Sequence, residues 1–154
     1  MTAERFRLVS RWRLEAPSER VYAALADIGA LSKWWKGISV TPVHSSTDIV
    51  GREARLEING LALFRLHALV RIESAERNRE IRVVSHGDLD GTGTWQLRPT
   101  RRGTEATFEW DVRFRHRRLQ RLARVLRPLL VLSHAFAMRR GARGLRKMLR
   151  AGAH

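Results

Sequence analysis

Gly93-Thr-Trp-Gln-Leu-Arg-Pro-Thr-Arg-Arg-Gly-Thr-Glu-Ala-Thr-Phe-Glu-Trp-Asp-Val-Arg-Phe114 is the stretch on which the fold turns. In its second half Ala106, Phe108, Trp110, Val112 and Phe114 are apolar, and the residues between them are polar. Successive side chains of a strand point to opposite faces, so period two with one apolar face marks a strand half-buried against a core. Gly93–Arg98 is a shorter strand, and Arg101-Arg102-Gly103 turns it into Thr104–Phe114. Glu109 and Asp111 share the other face of that strand, which points them away from the core, toward Arg residues of a neighbouring strand.

The same period recurs upstream. Gly51–Ile58 sets Ala54, Leu56 and Ile58 against Glu53, Arg55 and Glu57, and Asn59-Gly60 is a hairpin signal. Leu61–Glu73 follows with Ala62, Phe64, Leu66, Ala68, Val70 and Ile72 on its apolar side, and Glu80–His86 is a further strand. Ser39–Val43 is short and carries Pro42, which cannot donate to a ladder, so an edge is expected. Near the N-terminus Phe6, Leu8, Ser10, Trp12 and Leu14 form one face of a first strand.

Helices occupy the rest. Ala16-Pro17-Ser18-Glu19 reads as a helix start with Ser18 as cap, and Val21, Leu25 and Ile28 follow on one stripe up to Gly29. A second helical turn, Leu31 to Trp35, stops at Gly37. Beyond Phe114, Leu119, Leu122, Leu126 and Leu130 mark one stripe. Past Pro128 it gives way to Val131, Ala135, Met138, Ala142, Leu145 and Leu149. A proline inside a helical pattern kinks or restarts it, so Arg117–Arg127 and Pro128–Arg150 are read as two helices. Gly141 and Gly144 cost helix stability but allow a close approach.

The 154 residues suffice for a single domain, residues 1–154, with enough apolar material for a core. Absence of cysteine excludes disulfides, thiol nucleophiles and Cys-ligated metals. The first residues lack the apolar run of a signal peptide, and the reading is a cytoplasmic protein. The net charge of +15 is uneven: residues 115–154 hold 12 Lys and Arg and no Asp or Glu. On the first C-terminal helix Arg117, Arg121 and Arg124 lie opposite Leu119, Leu122 and Leu126. The favoured reading is a solvated basic face over leucines that cover the core. The alternative is weak contact with an anionic membrane through those three arginines.

The segments Ala16-Pro-Ser-Glu-Arg-Val-Tyr22, Lys33-Trp34-Trp35, Gly93-Thr-Trp-Gln-Leu-Arg-Pro99, Gly103-Thr-Glu-Ala-Thr-Phe-Glu-Trp110 and Met138-Arg-Arg-Gly-Ala-Arg-Gly-Leu145 occur in an order that resembles the START-like (SRPBCC) superfamily. The resemblance is to its bacterial polyketide cyclase/dehydrase and lipid-transport branch. It implies an α+β helix-grip fold: a curved antiparallel sheet of six to seven strands around a long C-terminal helix, with two short helices after the first strand. It also implies an apolar cavity between sheet and long helix.

Strand parity then directs Leu56, Ile58, Phe64, Leu66, Val83, Trp95, Phe108 and Trp110 to the concave face, with Met138 or Phe136 closing from the helix. Trp34 and Trp35 are candidates for the cavity wall, one of the two being expected in the core. His86 and His134 are placed near the cavity, whereas His67 shares the polar face of its strand. The six histidines show no ligand spacing, so no metal and no cofactor is expected. No nucleophile elbow, phosphate loop or zinc-protease motif is present, and no catalytic residue is assigned. The leading function is binding, with transport or sequestration, of an apolar small molecule such as a lipid or polyketide. The alternatives are a cyclase/dehydrase-like enzyme and a cationic peripheral membrane or nucleic-acid binder. Nucleic acid ranks last, because the charge comes without a recognition motif.

Overall fold

The computed structural model describes residues 5–44, 46–59, 65–115 and 117–152. Strand β1 (Phe6–Leu14) leads into helix α1 (Ser18–Ala26) and a 3₁₀ helix (Ile28–Lys33). Six strands follow: β2 (Ile38–His44), β3 (Glu53–Asn59), β4 (Arg65–Glu76), β5 (Glu80–Gly87), β6 (Leu89–Thr100) and β7 (Gly103–Phe114). The chain closes with α2 (Arg117–Val125) and α3 (Arg127–Ala151).

The seven strands form one antiparallel sheet in the order β1-β7-β6-β5-β4-β3-β2. The sheet curves around the long helix α3, as the α+β reading expected. Each hairpin joins sequence neighbours, and only β1 crosses over, to lie beside β7. Register follows the apolar parity: Trp12 faces Ala106 and Leu14 faces Thr104 across β1–β7, while Trp95 faces Phe108 across β6–β7. The outward face is ionic. Arg7 bonds Glu109 at 2.7 Å and Arg5 bonds Asp111 at 3.3 Å, so those two carboxylates serve cross-strand pairing. As Pro42 required, β2 lies at an edge.

Several local readings are corrected. Ser18 is the first helical residue after Pro17 and makes no cap. Its hydroxyl lies 3.1 Å from that of Thr104, which in turn bonds the Ala16 carbonyl, so it ties α1 to β7. The helix ends at Ala26, where Arg52 caps the carbonyl, and Gly29 sits inside the 3₁₀ helix. Strand β6 begins at Leu89, earlier than Gly93, because Gly91 (φ 158) and Gly93 let it pass close to Asp111 and Phe108 of β7. Gly60, Ala62 and Phe64 lie outside the described residues.

The break between α2 and α3 falls at Leu126, with Pro128 in the first turn of α3 where its missing N–H costs nothing. Gly141 and Gly144 then seat α3 hard against Trp34 and Trp35, just past the 3₁₀ helix. A Cβ on Gly141 would meet the Trp35 ring at 2.5 Å, and one on Gly144 would run into the Trp34 carbonyl oxygen. At its far end Arg20 donates to the Leu149 carbonyl at 2.7 Å, which satisfies an acceptor the helix leaves open.

Candidate ligand cavity

Two apolar clusters share the concave face, and only one is filled. The larger is organised by Trp12, Trp34, Trp35 and Trp95, each buried to 7% exposure or less. Trp34 and Trp35 stack with centroids 5.3 Å apart, and Trp12 meets Trp34, Trp35 and Trp95 at 6.3, 5.3 and 4.8 Å. The expectation that only one of the adjacent pair is core fails for a physical reason. Trp34 (φ −126) has already left the helix, so consecutive side chains are not held about 100° apart on a rod. Trp35 also donates its indole N–H to the Ala137 carbonyl at 2.9 Å and so fixes α3 in place.

The smaller cluster consists of Phe6, Leu89, Val112 and Phe114, flanked by Leu8, Leu66, Trp110 and Leu130. Between these strands and the first half of α3 lies an almost wholly apolar cavity of about 80 Å³. Ile58, Leu66 and Trp110 line it from the sheet, and Leu130, Val131, Ser133, His134 and Ala137 from the helix. Leu130, Ser133, His134 and Ala137 fall at i, i+3, i+4 and i+7, one face of a helix, and Val131 stands at its border.

Two polar groups stand at the helical wall. Ser133 is 8% exposed, and its Oγ has no hydrogen-bond partner among the described residues. His134 places Nε2 3.4 Å from the Ser10 hydroxyl, and its ring lies 5.7 Å from that of Trp110. Burial lowers the His134 pKa from 6.5 to about 4, so the imidazole is neutral at pH 7. The cavity wall is therefore apolar and uncharged, with one unpaired hydroxyl buried in it.

A family model described as polyketide cyclase / dehydrase and lipid transport matches residues 5–151. The chain belongs to that family. Solved structures agree on the fold of this cyclase/dehydrase and lipid-transport family member. A protein of Thermus thermophilus is 21% identical, with TM-score 0.79, over 98% of this chain and 100% of that one. The Zhui aromatase/cyclase from Streptomyces sp. R1128 is 13% identical, with TM-score 0.69, over 95% of this chain and 94% of that one. The di-domain aromatase/cyclase BexL is 16% identical, with TM-score 0.73, over 94% of this chain and 50% of that one. No curated protein matches the sequence.

Within this family member the residues chosen by parity divide. Ile58, Leu66 and Trp110 line the cavity. Trp34, Trp35, Trp95 and Met138 are packed into the larger cluster, with Leu56, Val83 and Phe108 against its margin. Phe136 faces outward at 38% exposure under the Arg140 guanidinium, so Met138 closes the core from the helix. Val131 and Ala135 are exposed too, because the buried face of α3 turns by about a quarter between its two halves. The second half packs on Trp12, Trp34 and Trp35, and the first half on β1 and β7. His86, expected near the cavity, is exposed beside Asp90 and does not line it, whereas His134 does. Ser133 escapes a reading of the sequence, since a lone serine in a helix carries no periodic signal. An open groove between β1 and the second half of α3 is lined by Trp12, Met138 and Ala142 together with Arg11, Arg139, Arg143, Arg146, Lys147 and Arg150, so it pairs apolar surface with a cationic border.

The half-buried imidazole gives a pH prediction. The folded pKa of His134 lies below its unfolded value, so between about pH 6.5 and pH 4 only the unfolded chain takes up the proton. Stability from this group is complete above pH 6.5 and is lost as pH falls toward 4. Allowing for the ring's partial exposure, the loss is on the order of 2 kcal/mol. Urea titrations at pH 7 and pH 4.5 should show a smaller drop in His134→Gln than in the parent; equal drops would contradict a neutral imidazole held by desolvation.

Proposed function

We propose that this protein binds and carries a neutral, mostly apolar small molecule, a lipid or polyketide, between its sheet and α3. The observation that carries the reading is the unpaired Ser133 hydroxyl in an otherwise apolar cavity. An unmet buried hydroxyl costs about 1–3 kcal/mol, and a ligand carbonyl or hydroxyl that pairs with it recovers that cost. The family description, which includes lipid transport, supports the same reading.

A space of about 80 Å³ holds only one end of such a ligand, because sites for drug-sized molecules run to about 300–1,000 Å³. The remainder is accommodated by outward movement of the first half of α3. From Arg127 to Ala137 that helix buries only Ser133, whereas its second half buries Met138, Gly141, Ala142, Leu145 and Leu149. Segments with few buried contacts open at the lowest free energy.

The aromatase/cyclase neighbours favour a second reading, catalysis of cyclisation or dehydration on a polyketide. Against it, an imidazole with a pKa of about 4 is a weak base at neutral pH. Carriage therefore ranks above catalysis.

Titration with Nile red, a neutral dye with one carbonyl, tests the proposal. The parent should bind one equivalent, and Leu66→Trp, which fills the cavity, should abolish binding. Ser133→Ala should weaken it by about 5-fold while leaving stability unchanged or slightly raised. Absence of saturable binding by the parent would sink the reading.

A further inference from the structure

Among the described residues five of the eight exposed large apolar side chains, Leu122, Val125, Val131, Leu132 and Phe136, lie on α2 and the first half of α3; the other three, Val9, Val43 and Val50, are single valines on or before strands. Leucines that merely cover a core would be buried, yet Leu122 is 43% exposed and Val125 beside it 77%. Cations accompany them, since Arg117, Arg121 and Arg124 are exposed on α2. On α3 the residues Leu132, Phe136, Arg139, Arg143, Arg146 and Arg150 recur at alternating spacings of four and three, which puts them on one face. That face is apolar at its first end and cationic over the rest, and spans about 27 Å at 1.5 Å per residue. Arg139, Arg143 and Arg150 have no ion pair among the described residues, and residues 115–154 contain no carboxylate side chain. No helix among the described residues is long and apolar enough to cross a membrane.

We propose that the outward face of α2 and α3 docks this protein on an anionic lipid bilayer, with Leu132 and Phe136 entering the headgroup boundary and the arginines of α3 lying on lipid phosphates. The occupant follows from the two halves together. Nucleic acid would use the arginines but leave five exposed apolar side chains in water, whereas the bilayer interface accepts both. Location points the same way. Val131 is 43% exposed and also lines the cavity, so the wall of the ligand space is the element that meets the membrane. This deepens the carrier reading and rests on it for its purpose, because an apolar ligand drawn from a bilayer would pass that wall without crossing water.

Co-sedimentation with vesicles of phosphatidylcholine, with and without phosphatidylglycerol, tests it at low and near-physiological salt. The parent should bind only the anionic vesicles, and less at higher salt. Arg139→Gln with Arg143→Gln and Arg150→Gln should weaken binding on the order of 100-fold at low salt. Leu132→Ser with Phe136→Ser should weaken it by about 10-fold or more with all charges kept. These side chains point outward, so both variants should melt like the parent and bind Nile red in solution as it does. Vesicle binding without dye binding would fault the cavity reading alone, and dye binding without vesicle binding would overturn this proposal alone. Equal binding of the apolar double variant to anionic vesicles, tighter binding of a short DNA duplex than of vesicles, or self-association that buries Phe136 would also overturn it.

Discussion

Trp12→Ala should cost about 5 kcal/mol, the upper end for truncating a buried large aromatic. Trp12 is 3% exposed and joins the strand edge to the 3₁₀ turn and to β6 through Trp34, Trp35 and Trp95. Its removal takes away three ring contacts and leaves a hole that rigid neighbours cannot close. Domains of this size hold about 5–15 kcal/mol in all, so the variant should unfold at a much lower urea concentration or be partly unfolded in water. Trp12→Phe keeps a ring in the site and should recover more than half of the loss. Urea unfolding followed by tryptophan fluorescence gives both midpoints, and a loss below about 2 kcal/mol for the alanine variant would show that the four-tryptophan cluster is not the keystone of the core.

The second large effect runs against helix propensity. Alanine for glycine in an exposed helix interior gains about 1 kcal/mol. At Gly144 that gain is outweighed, since the new Cβ would run into the backbone oxygen of Trp34, and backbone cannot swing aside. Gly144→Ala should therefore destabilise by about 3 kcal/mol, the cost of overpacking a well-filled site. At Gly141 the obstacle is the Trp35 ring at 2.5 Å, a side chain with some room to tilt, so Gly141→Ala should lose less. Thermal melts of the two variants settle the order; a Gly144→Ala protein as stable as the parent would mean that α3 does not rest on the 3₁₀ turn.

These two sites also show what is legible in the sequence. Strand parity alone orients Phe6 to Leu14, Ala54 to Ile58 and Ala106 to Phe114 correctly, because one face of each strand meets a continuous core. Pro42 marks an edge and Pro128 a helix restart, since each removes a backbone donor at a defined place. What fails is whatever depends on a neighbour's shape. Extending the stripe of Met138 and Leu145 turns Val131 inward, and Phe136 stands as an alternative to Met138. Both are exposed, because the buried face of α3 turns as its partners change from tryptophans to strands. Trp34 and Trp35 follow a helix that has already ended, so helical spacing misplaces one of them. Parity spreads the cavity under the whole sheet, yet Trp95 and Phe108 pack their rings 4.6 Å apart under one part of it, and the cavity is left beside Trp110. Ser133 becomes a candidate only when its surroundings show nothing for its hydroxyl to bond.

Native mass spectrometry can detect an apolar guest held between sheet and α3 directly. The protein would be purified without denaturation, in parent and Leu66→Trp forms, and each incubated with a total lipid and polyketide extract. One bound molecule per chain is expected in the parent, released on denaturation, and the bare mass for Leu66→Trp, whose added ring occupies the cavity. Bare chains for both proteins, or the same adduct on both, would contradict a guest held there.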